Sequence, residues 1–359
     1  MVAKRPRGPP ALAIASASPL AIIGIDWSGA RTAGKTIWLA DGALLPPIPG
    51  EQQERVLRVS SVRCAASLHG GRPERAAAVA AVRDHLVRSA PAWVGLDAPI
   101  ALPSGLMRAA CGEAAAPSTW RAFVDGYRWT EAEEMREWAR GVHSNGEPKR
   151  ECDVTAKAPF APTNLRLFRQ THTAISLLLA PMLRAGELSV IPPSLARDAS
   201  SDEAAAAALR PVRLLETCPA SLLKRVGLYG ETYKATTTQA RAARARILET
   251  LCGAGVASGY ADDAPRVRLE LHDGAAPSGD AHEQPREPPP EPPEPPEQEQ
   301  PLPPQSQLLR QAIVDDAGGD ALDAVLAATI TALAVSSGAL PQPPEGWSDA
   351  FWEEGCIYY

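Results

Sequence analysis

A segment near the carboxyl end of the chain limits what the rest can fold into. Residues 273–306 hold 12 of the 36 prolines, with the run EPPPEPPEPPE, and a single leucine as a core-type residue. Such a segment cannot bury enough apolar surface to offset the entropy of ordering it, and its prolines favour extended polyproline II. We predict a disordered, solvated insertion here; a ligand for a proline-recognition module is the functional alternative.

The helix beyond this insertion cannot be an independent unit. The sequence DALDAVLAATITALAV within residues 319–336 is apolar on most sides and rich in helix formers, which predicts a buried helix. A lone buried helix has no core of its own, so we expect it to pack against a sheet formed earlier in the chain. Residues 20–359 are therefore predicted to be one domain, interrupted at 273–306, and residues 1–19 a flexible tail.

Short apolar runs and helical periodicity predict the remaining elements. Strands are predicted at 20–26, 35–40, 56–64, 93–97 and 212–216, and helices at 73–88, 171–185 and 238–251. The order is three strands, a helix, a strand, a long insertion, then a strand and a helix, which is typical of a mixed α/β domain.

Two further features concern the setting of the protein. No stretch of about 18 uninterrupted apolar residues occurs, so no membrane span is predicted. The six cysteines are scattered without a C-x-x-C pair, which argues against a zinc ribbon and favours a reducing, cytoplasmic setting.

Residues 29–36, GARTAGKT, match the phosphate-binding pattern G-x-x-x-x-G-K-[ST]. In a P-loop, Lys35 and Thr36 would open a helix whose N-terminus faces phosphate. Only four residues separate Thr36 from the turn signal Asp41-Gly42, so no useful helix fits and a hairpin loop is favoured. A P-loop NTPase or phosphotransferase is the less favoured alternative.

Three predicted strands end in a carboxylate. Asp26, Asp97 and Glu216 each close a short apolar run, and parallel strands would bring them to one sheet edge, where ligands of open α/β sheets bind. Asp320 and Asp323 start the last helix and, three residues apart, face the same direction. Grouped carboxylates raise each other's pKa unless a cation intervenes. This pattern predicts an Mg²⁺ or Mn²⁺ site with Asp26, Asp97, Glu216 and Asp323 as ligands and Asp320 as a candidate fifth.

Each carboxylate also has a structural interpretation. Asp320 could cap the last helix. Asp97, which precedes Ala98-Pro99, could belong to a turn, and Glu216 could accept hydrogen bonds from backbone amides. If the carboxylates do hold metal, two ions could activate a water and stabilise the leaving oxygen of a phosphodiester. The favoured function is therefore a metal-dependent nuclease or phosphodiesterase, and a non-catalytic nucleotide- or nucleic-acid-binding module on the same fold is the alternative.

Several sequence blocks, in order, resemble a known family. The blocks are GIDWSGA, VGLDAPIALP, TNLRLFRQTH, LLETCPASLLKRVGL, DALDAVLAA and the terminal EEGCIYY. Together they resemble the domain of unknown function 429, a group of predicted RNase H-like nucleases. The resemblance implies a five-stranded mixed sheet in the order 3-2-1-4-5, with helices on both faces and a large insertion between strands 4 and 5. It also implies that the five carboxylates named above are the catalytic groups.

Basic residues in or beside these blocks could hold a substrate. Arg166, Arg169 and Lys234 could contact phosphates, with solvated surface charge as the alternative. The chain has a net charge of -6, but residues 273–306 hold eight acidic residues and one basic residue, so the other residues carry a net charge of +1. A nearly neutral domain is compatible with a nucleic-acid or nucleotide substrate held by local basic groups.

Overall fold

The computed structural model describes residues 18–47, 54–112, 119–143, 147–191, 212–230, 232–257, 265–272, 305–337 and 354–359. The predicted flexible tail lies outside these residues except for its last two positions. The predicted insertion lies outside them except for Gln305 and Ser306. These two residues begin a helix, so the prediction of disorder is wrong for them.

Strands form one mixed sheet, which has nine members within the described part of the chain. They are β1 (Leu20–Asp26), β2 (Trp38–Leu44), β3 (Glu54–Cys64), β4 (Ala92–Asp97), β5 (Leu188–Ile191), β6 (Val212–Thr217), β7 (Val256–Ala257), β8 (Arg266–Leu271) and β9 (Ile357–Tyr358). Their order is β5-β6-β4-β1-β2-β3-β8-β7, with β9 paired to β6. The central strand β1 is antiparallel to β2 and parallel to β4, and β4 is parallel to β6.

The predicted α/β class is confirmed, but a five-stranded sheet in the order 3-2-1-4-5 is wrong as a description of this sheet. The sequence reading missed β5, β7, β8 and β9. The four residues of β5 are all buried, and a short apolar run of this kind carries no periodicity to mark it as a strand. This strand falls inside the region predicted as an insertion and pairs in parallel with β6. On the other side, β8 pairs in parallel with β3 and widens the sheet.

The segment that matches the P-loop pattern forms a turn rather than a helix start. Lys35 ends a 3-10 turn (Ala33–Lys35), and β2 begins three residues later. The predicted turn at Asp41-Gly42 is wrong, because both residues lie within β2. The register against β3 shifts between them, which marks a β-bulge that keeps the strand paired despite an unfavourable sequence.

Helices cover both faces of the sheet. They are α1 (Arg75–Arg88), α2 (Ser104–Cys111), α3 (Thr119–Asp125), α4 (Ala132–Val142), α5 (Glu151–Thr155), α6 (Phe168–Thr173), α7 (Ala180–Arg184), α8 (Pro219–Arg225), α9 (Thr238–Cys252), α10 (Gln305–Asp315) and α11 (Asp320–Ser336). A π-helical segment, Ala174–Leu179, joins α6 to α7, so one continuous helical run covers the predicted helix at 171–185. Alternate residues of β1 belong to the two cores, with Ile23 and Ile25 on the side of α1 and Ile22 on the side of α9 and α11.

Two glycines determine how closely α11 approaches the sheet. Gly24 of β1 and Gly95 of β4 are register partners in neighbouring parallel strands. A Cβ atom on Gly24 would lie under 3.0 Å from backbone atoms of Ala324 and Ala328, and one on Gly95 would lie under 3.0 Å from Ala327. The missing side chains therefore leave a groove in which α11 lies directly against the two central strands. This is the packing predicted for the helix beyond the insertion.

Among the described residues, no single helix combines the length and apolar character needed to cross a membrane. The consecutive helices α10 and α11 reach this length and apolar character only when taken together, and the chain bends by 115° between them.

Candidate functional site

The groove beneath α11 also sets the direction of two aspartates. Side chains two residues apart in a strand project from the same face. Asp26 and Asp97 follow Gly24 and Gly95 by two residues and are themselves register partners. Both carboxylates therefore project from the carboxyl ends of β1 and β4 towards the side of the sheet that α11 covers.

The first turn of α11 supplies the matching aspartates. Gly319 precedes the helix in a left-handed conformation, with φ of 76°, which suits glycine. The Asp316 side chain accepts a hydrogen bond from the amide of Ala321 at 2.9 Å and so helps to cap the helix. The capping interpretation of Asp320 therefore receives no support from these contacts, and Asp320 and Asp323 both occupy the first turn.

Three carboxylates converge. One oxygen from each of Asp26, Asp97 and Asp323 lies within 4.8 Å of the other two, close enough to share a cation. Asp323 is 1% exposed and Asp26 is 7% exposed, while Asp97 is partly exposed. Asp320 completes the group, since it lines the same cavity and its charge acts on Asp26.

Two neighbouring residues compensate the charge of Asp323. The ammonium group of Lys234 forms an ion pair with one oxygen of Asp323, and the hydroxyl of Tyr233 donates to the other at 2.8 Å. Burial, followed by the charge of Asp323, raises the pKa of Tyr233, so this phenol stays protonated and remains a donor. The Lys234 side chain is 47% exposed, so it reaches the cluster from the solvent side.

Burial and the crowding of carboxylates raise the pKa values of this group. Burial, and then the charge of Asp323, raises the pKa of Asp97 from 3.8 to about 8, against the opposing effect of Lys234. The same causes raise the pKa of Asp26 well above its ordinary value. Burial also raises the pKa of Asp320 to about 6, although Lys234 opposes this shift. Without a further cation, the group therefore retains protons at neutral pH.

Glu216 does not join the three aspartates. It pairs in register with Leu96, one residue before Asp97, so its side chain leaves the strand on the opposite face, although Glu216 still borders the same cavity. There both oxygens accept from the Arg150 guanidinium, at 2.5 and 2.7 Å, and one also accepts from the amide of Ile100 at 3.1 Å. Glu216 thus makes a backbone contact of the kind its structural interpretation predicts.

Arg150 organises this second cluster and was missed in the sequence. It is 1% exposed and bonds Asp153 as well as Glu216. Burial alone would lower the pKa of Arg150, but the surrounding carboxylates hold it above its usual range. The polar run EPKRECD gives no local sign that its arginine is buried, because that burial depends on Glu216, which is distant in the sequence. Tyr233 was missed for the same reason.

The predicted phosphate contacts lie in different places. Arg166 lines the same cavity as the aspartates, and its guanidinium lies 5.1 Å from the centre of the Phe160 ring. Lys234 is at the carboxylates. Arg169 forms an exposed ion pair with Glu133 at 2.5 Å and is not among the described residues that line the cavity.

The cavity above the carboxylates has a volume of about 860 Å³. The three aspartates and Asp320 lie in it together with aromatic residues Trp27, Phe160, Tyr229 and Tyr233. Two of its hydroxyls, Thr36 Oγ1 and Thr217 Oγ1, are buried and have no hydrogen-bond partner among the described residues. Thr217 follows Glu216 and so projects to the same side of the sheet as the aspartates. Buried hydroxyls normally find a partner, so these two are suited to an additional polar group or water.

The chain was compared with protein-family models, with curated proteins and with solved structures, and none of the three comparisons found a match.

Proposed function

We propose that the protein is a metal-dependent phosphodiesterase or nuclease, with Asp26, Asp97 and Asp323 as ligands of Mg²⁺ or Mn²⁺. The observation that carries this proposal is the convergence of the three carboxylates within 4.8 Å at the carboxyl ends of two central parallel strands. Ligand sites of open α/β sheets lie at this edge. Asp320, beside Asp26, supplies a further acidic oxygen.

The residues present fit a hard divalent cation. Carboxylate oxygens are the ligands that Mg²⁺ and Mn²⁺ prefer, and Mg²⁺ usually keeps several waters when bound to protein carboxylates. The unpartnered hydroxyls of Thr36 and Thr217 could accept hydrogen bonds from such waters. A cation would also offset the burial and the repulsion from Asp323 that together raise the pKa of Asp97 to about 8. When bound, the ion would supply Lewis acidity for water activation and for the leaving oxygen.

The chain's own residues then have separate tasks. Tyr233 holds the Asp323 carboxylate by a hydrogen bond from one side. Lys234, partly exposed at the same carboxylate, would contact an incoming phosphate in this proposal. Arg166 extends the positive charge along the cavity wall. Glu216 and Arg150, which also line the cavity, form the buried ion pair that supports the end of β6 and the loop after β4.

We also infer that the fold is RNase H-like, as the sequence blocks imply. Support comes from the consecutive stretch β3-β2-β1-β4-β6 within the larger sheet, with β1 at its centre and β2 antiparallel to both neighbours. The additional strands β5, β7, β8 and β9 would then be extensions of such a core. The six unpaired cysteines suit the reducing, cytoplasmic setting that is part of this proposal.

One observation favours the second candidate, a non-catalytic binding module on the same fold. The Lys234 ammonium already compensates part of the carboxylate charge, as expected of a cleft that has no resident metal. Under this alternative the cavity would bind a nucleotide or nucleic acid without hydrolysing it.

A cleavage panel separates the two candidates. DNA, RNA, hybrid and junction substrates are incubated with Mn²⁺ and wild-type protein, Asp26→Asn or Asp125→Asn. Asp125 is the control because it pairs with Arg121 on an exposed helix surface, outside the cavity. We expect Mn²⁺-dependent cleavage that Asp26→Asn lowers at least 100-fold and Asp125→Asn leaves intact. Binding without cleavage by the wild type would support the binding module, and equal cleavage by wild type and Asp26→Asn would refute the proposed site.

A further inference from the structure

Two aromatic rings line the carboxylate cavity without belonging to the carboxylate cluster. Phe160 lies in the loop between α5 and α6 and is partly buried, and Tyr229 lies in the loop after α8 and is 43% exposed. Each ring has a cation over it: Arg166 lies 5.1 Å from the Phe160 ring centre, and the Lys224 ammonium lies 4.7 Å from that of Tyr229. The cavity is therefore lined by both rings and by Arg166, and Lys224 contacts the Tyr229 ring without lining the cavity itself.

Hydrogen bonds hold the loop that carries Phe160 in place. The Lys149 ammonium donates to the carbonyl of Ala158 at 2.7 Å, and the hydroxyl of Thr171 donates to that of Pro162 at 2.8 Å. Lys224 also donates to the carbonyl of Lys157 at 2.7 Å, which connects the Tyr229 pair to the loop of Phe160. The two rings are thus parts of one connected wall, organised before a ligand arrives.

A ring next to a cation in a groove suits a base next to its phosphate. Aromatic side chains stack on nucleobases irrespective of sequence, while neighbouring Lys and Arg follow the backbone. In a duplex both faces of each base are covered by adjacent pairs, whereas the bases of a single strand can turn out and stack on protein rings. Rings that share a cavity with the reactive carboxylates therefore select unpaired nucleotides.

The volume of the cavity and the burial of its aspartates also favour an unpaired strand over a duplex. Its volume of about 860 Å³ lies in the range of pockets that enclose small ligands. Asp323 and Asp26 are 1% and 7% exposed, so a phosphate must enter the cavity to reach them. A flexible single strand can insert one or two nucleotides into such a space, but a regular double helix cannot do so without unpairing.

We propose that the cavity binds an unpaired segment of single-stranded nucleic acid, with bases stacked on Phe160 and Tyr229 and the backbone directed to the three aspartates. This substrate class rests on the proposed function, because it assumes that the reacting phosphate meets the carboxylates. The bases anchor the strand, Arg166 in the cavity wall neutralises its phosphates, and Lys224 beside Tyr229 adds positive charge outside the cavity lining.

The test measures binding separately from cleavage. Fluorescence anisotropy compares a labelled 12-mer single strand, as DNA and as RNA, with a hairpin duplex and with an abasic single strand. All proteins carry Asp26→Asn, so that binding is measured without strand loss. Phe160→Ala and Tyr229→Ala are compared with Leu165→Ala, a residue of the same loop that is 64% exposed and does not line the cavity.

We expect the single strand to bind at least tenfold more tightly than the duplex. Each ring substitution should weaken single-strand binding about 5- to 150-fold and have no effect on the abasic strand, and Leu165→Ala should match the parent. Equal affinity for duplex and single strand, no nucleic-acid binding at all, or ring variants that match Leu165→Ala would each overturn this inference. The proposed function fails separately, if wild-type protein and Asp26→Asn cleave equally in Mn²⁺.

Discussion

Replacing Asp97 by asparagine should stabilise the metal-free protein. At pH 7 the Asp97 carboxyl is ionised in the unfolded chain, but in the folded protein its pKa is about 8 and it holds a proton. At about 1.4 kcal/mol per pKa unit, keeping this group protonated costs about 4 kcal/mol of stability at pH 7. Asparagine has the shape of the protonated acid and does not titrate, so Asp97→Asn escapes this cost.

The sign of the pH dependence follows from the same shift. Because the folded pKa is raised, the folded state binds more protons than the unfolded state between pH 4 and 8, and wild-type stability falls as pH rises through this range. The stabilisation by Asp97→Asn should therefore shrink to about 2 kcal/mol at pH 5. Mutations that remove functional strain in this way commonly exchange activity for stability.

Urea unfolding at pH 5 and pH 7, in EDTA, measures the effect, with Asp125→Asn as the exposed control. In a further series, Mn²⁺ at one hundred times its Kd should stabilise the wild type by about 2.7 kcal/mol. It should stabilise Asp97→Asn less. If Asp97→Asn is less stable than the wild type at pH 7 without metal, or if its advantage does not grow with pH, the raised pKa of Asp97 and the effects of burial and repulsion that explain it are refuted.

Three further substitutions test the surroundings of the site. Lys234→Met should lower the melting temperature of the metal-free protein, since it leaves Asp323 without its ion pair, and should increase the shift produced by Mn²⁺; an unchanged Mn²⁺ shift would contradict this. Arg150→Met should cost about 3–5 kcal/mol in urea unfolding, because it leaves Glu216 buried and uncompensated; a loss below 1 kcal/mol would contradict that pairing. Gly24→Ala should cost about 1–3 kcal/mol by displacing α11, and wild-type stability in this variant would show that the helix lies farther from the sheet.

The sequence predicts the central strands well because their burial leaves a local signal. β1 is an apolar run that ends at a charged residue, and its observed bounds, Leu20–Asp26, are those predicted. The predicted range of β2 lies too far towards the N-terminus, because Asp41-Gly42 resembles a turn. Pairing with strands on both sides keeps these two residues in the sheet. Tertiary contacts of this kind override local turn preference, and no short window of sequence contains them.

The same difference between local signals and tertiary contacts explains which site residues the sequence predicts correctly. Asp26 and Asp97 could be placed together because both end parallel strands, and Asp323 because its helix had to pack on the sheet. Glu216 ends a neighbouring strand too, but its register is offset by one residue relative to Asp97, which reverses the face. Strand register depends on the packing of the whole sheet, so counting strand ends alone could not separate Glu216 from the aspartates.

Calorimetric titration of Mn²⁺ into the metal-free protein tests the carboxylate site most directly. Wild-type protein should bind Mn²⁺ and release protons at pH 7, because Asp97 gives up the proton that its raised pKa retains. The proton release is measured by repeating the titration in buffers of different ionisation enthalpy. Asp26→Asn and Asp323→Asn should each weaken Mn²⁺ binding at least tenfold, while Asp125→Asn should bind as the wild type does. Mn²⁺ binding that is equal in all four proteins, or absent from the wild type, would contradict a metal site at these three aspartates.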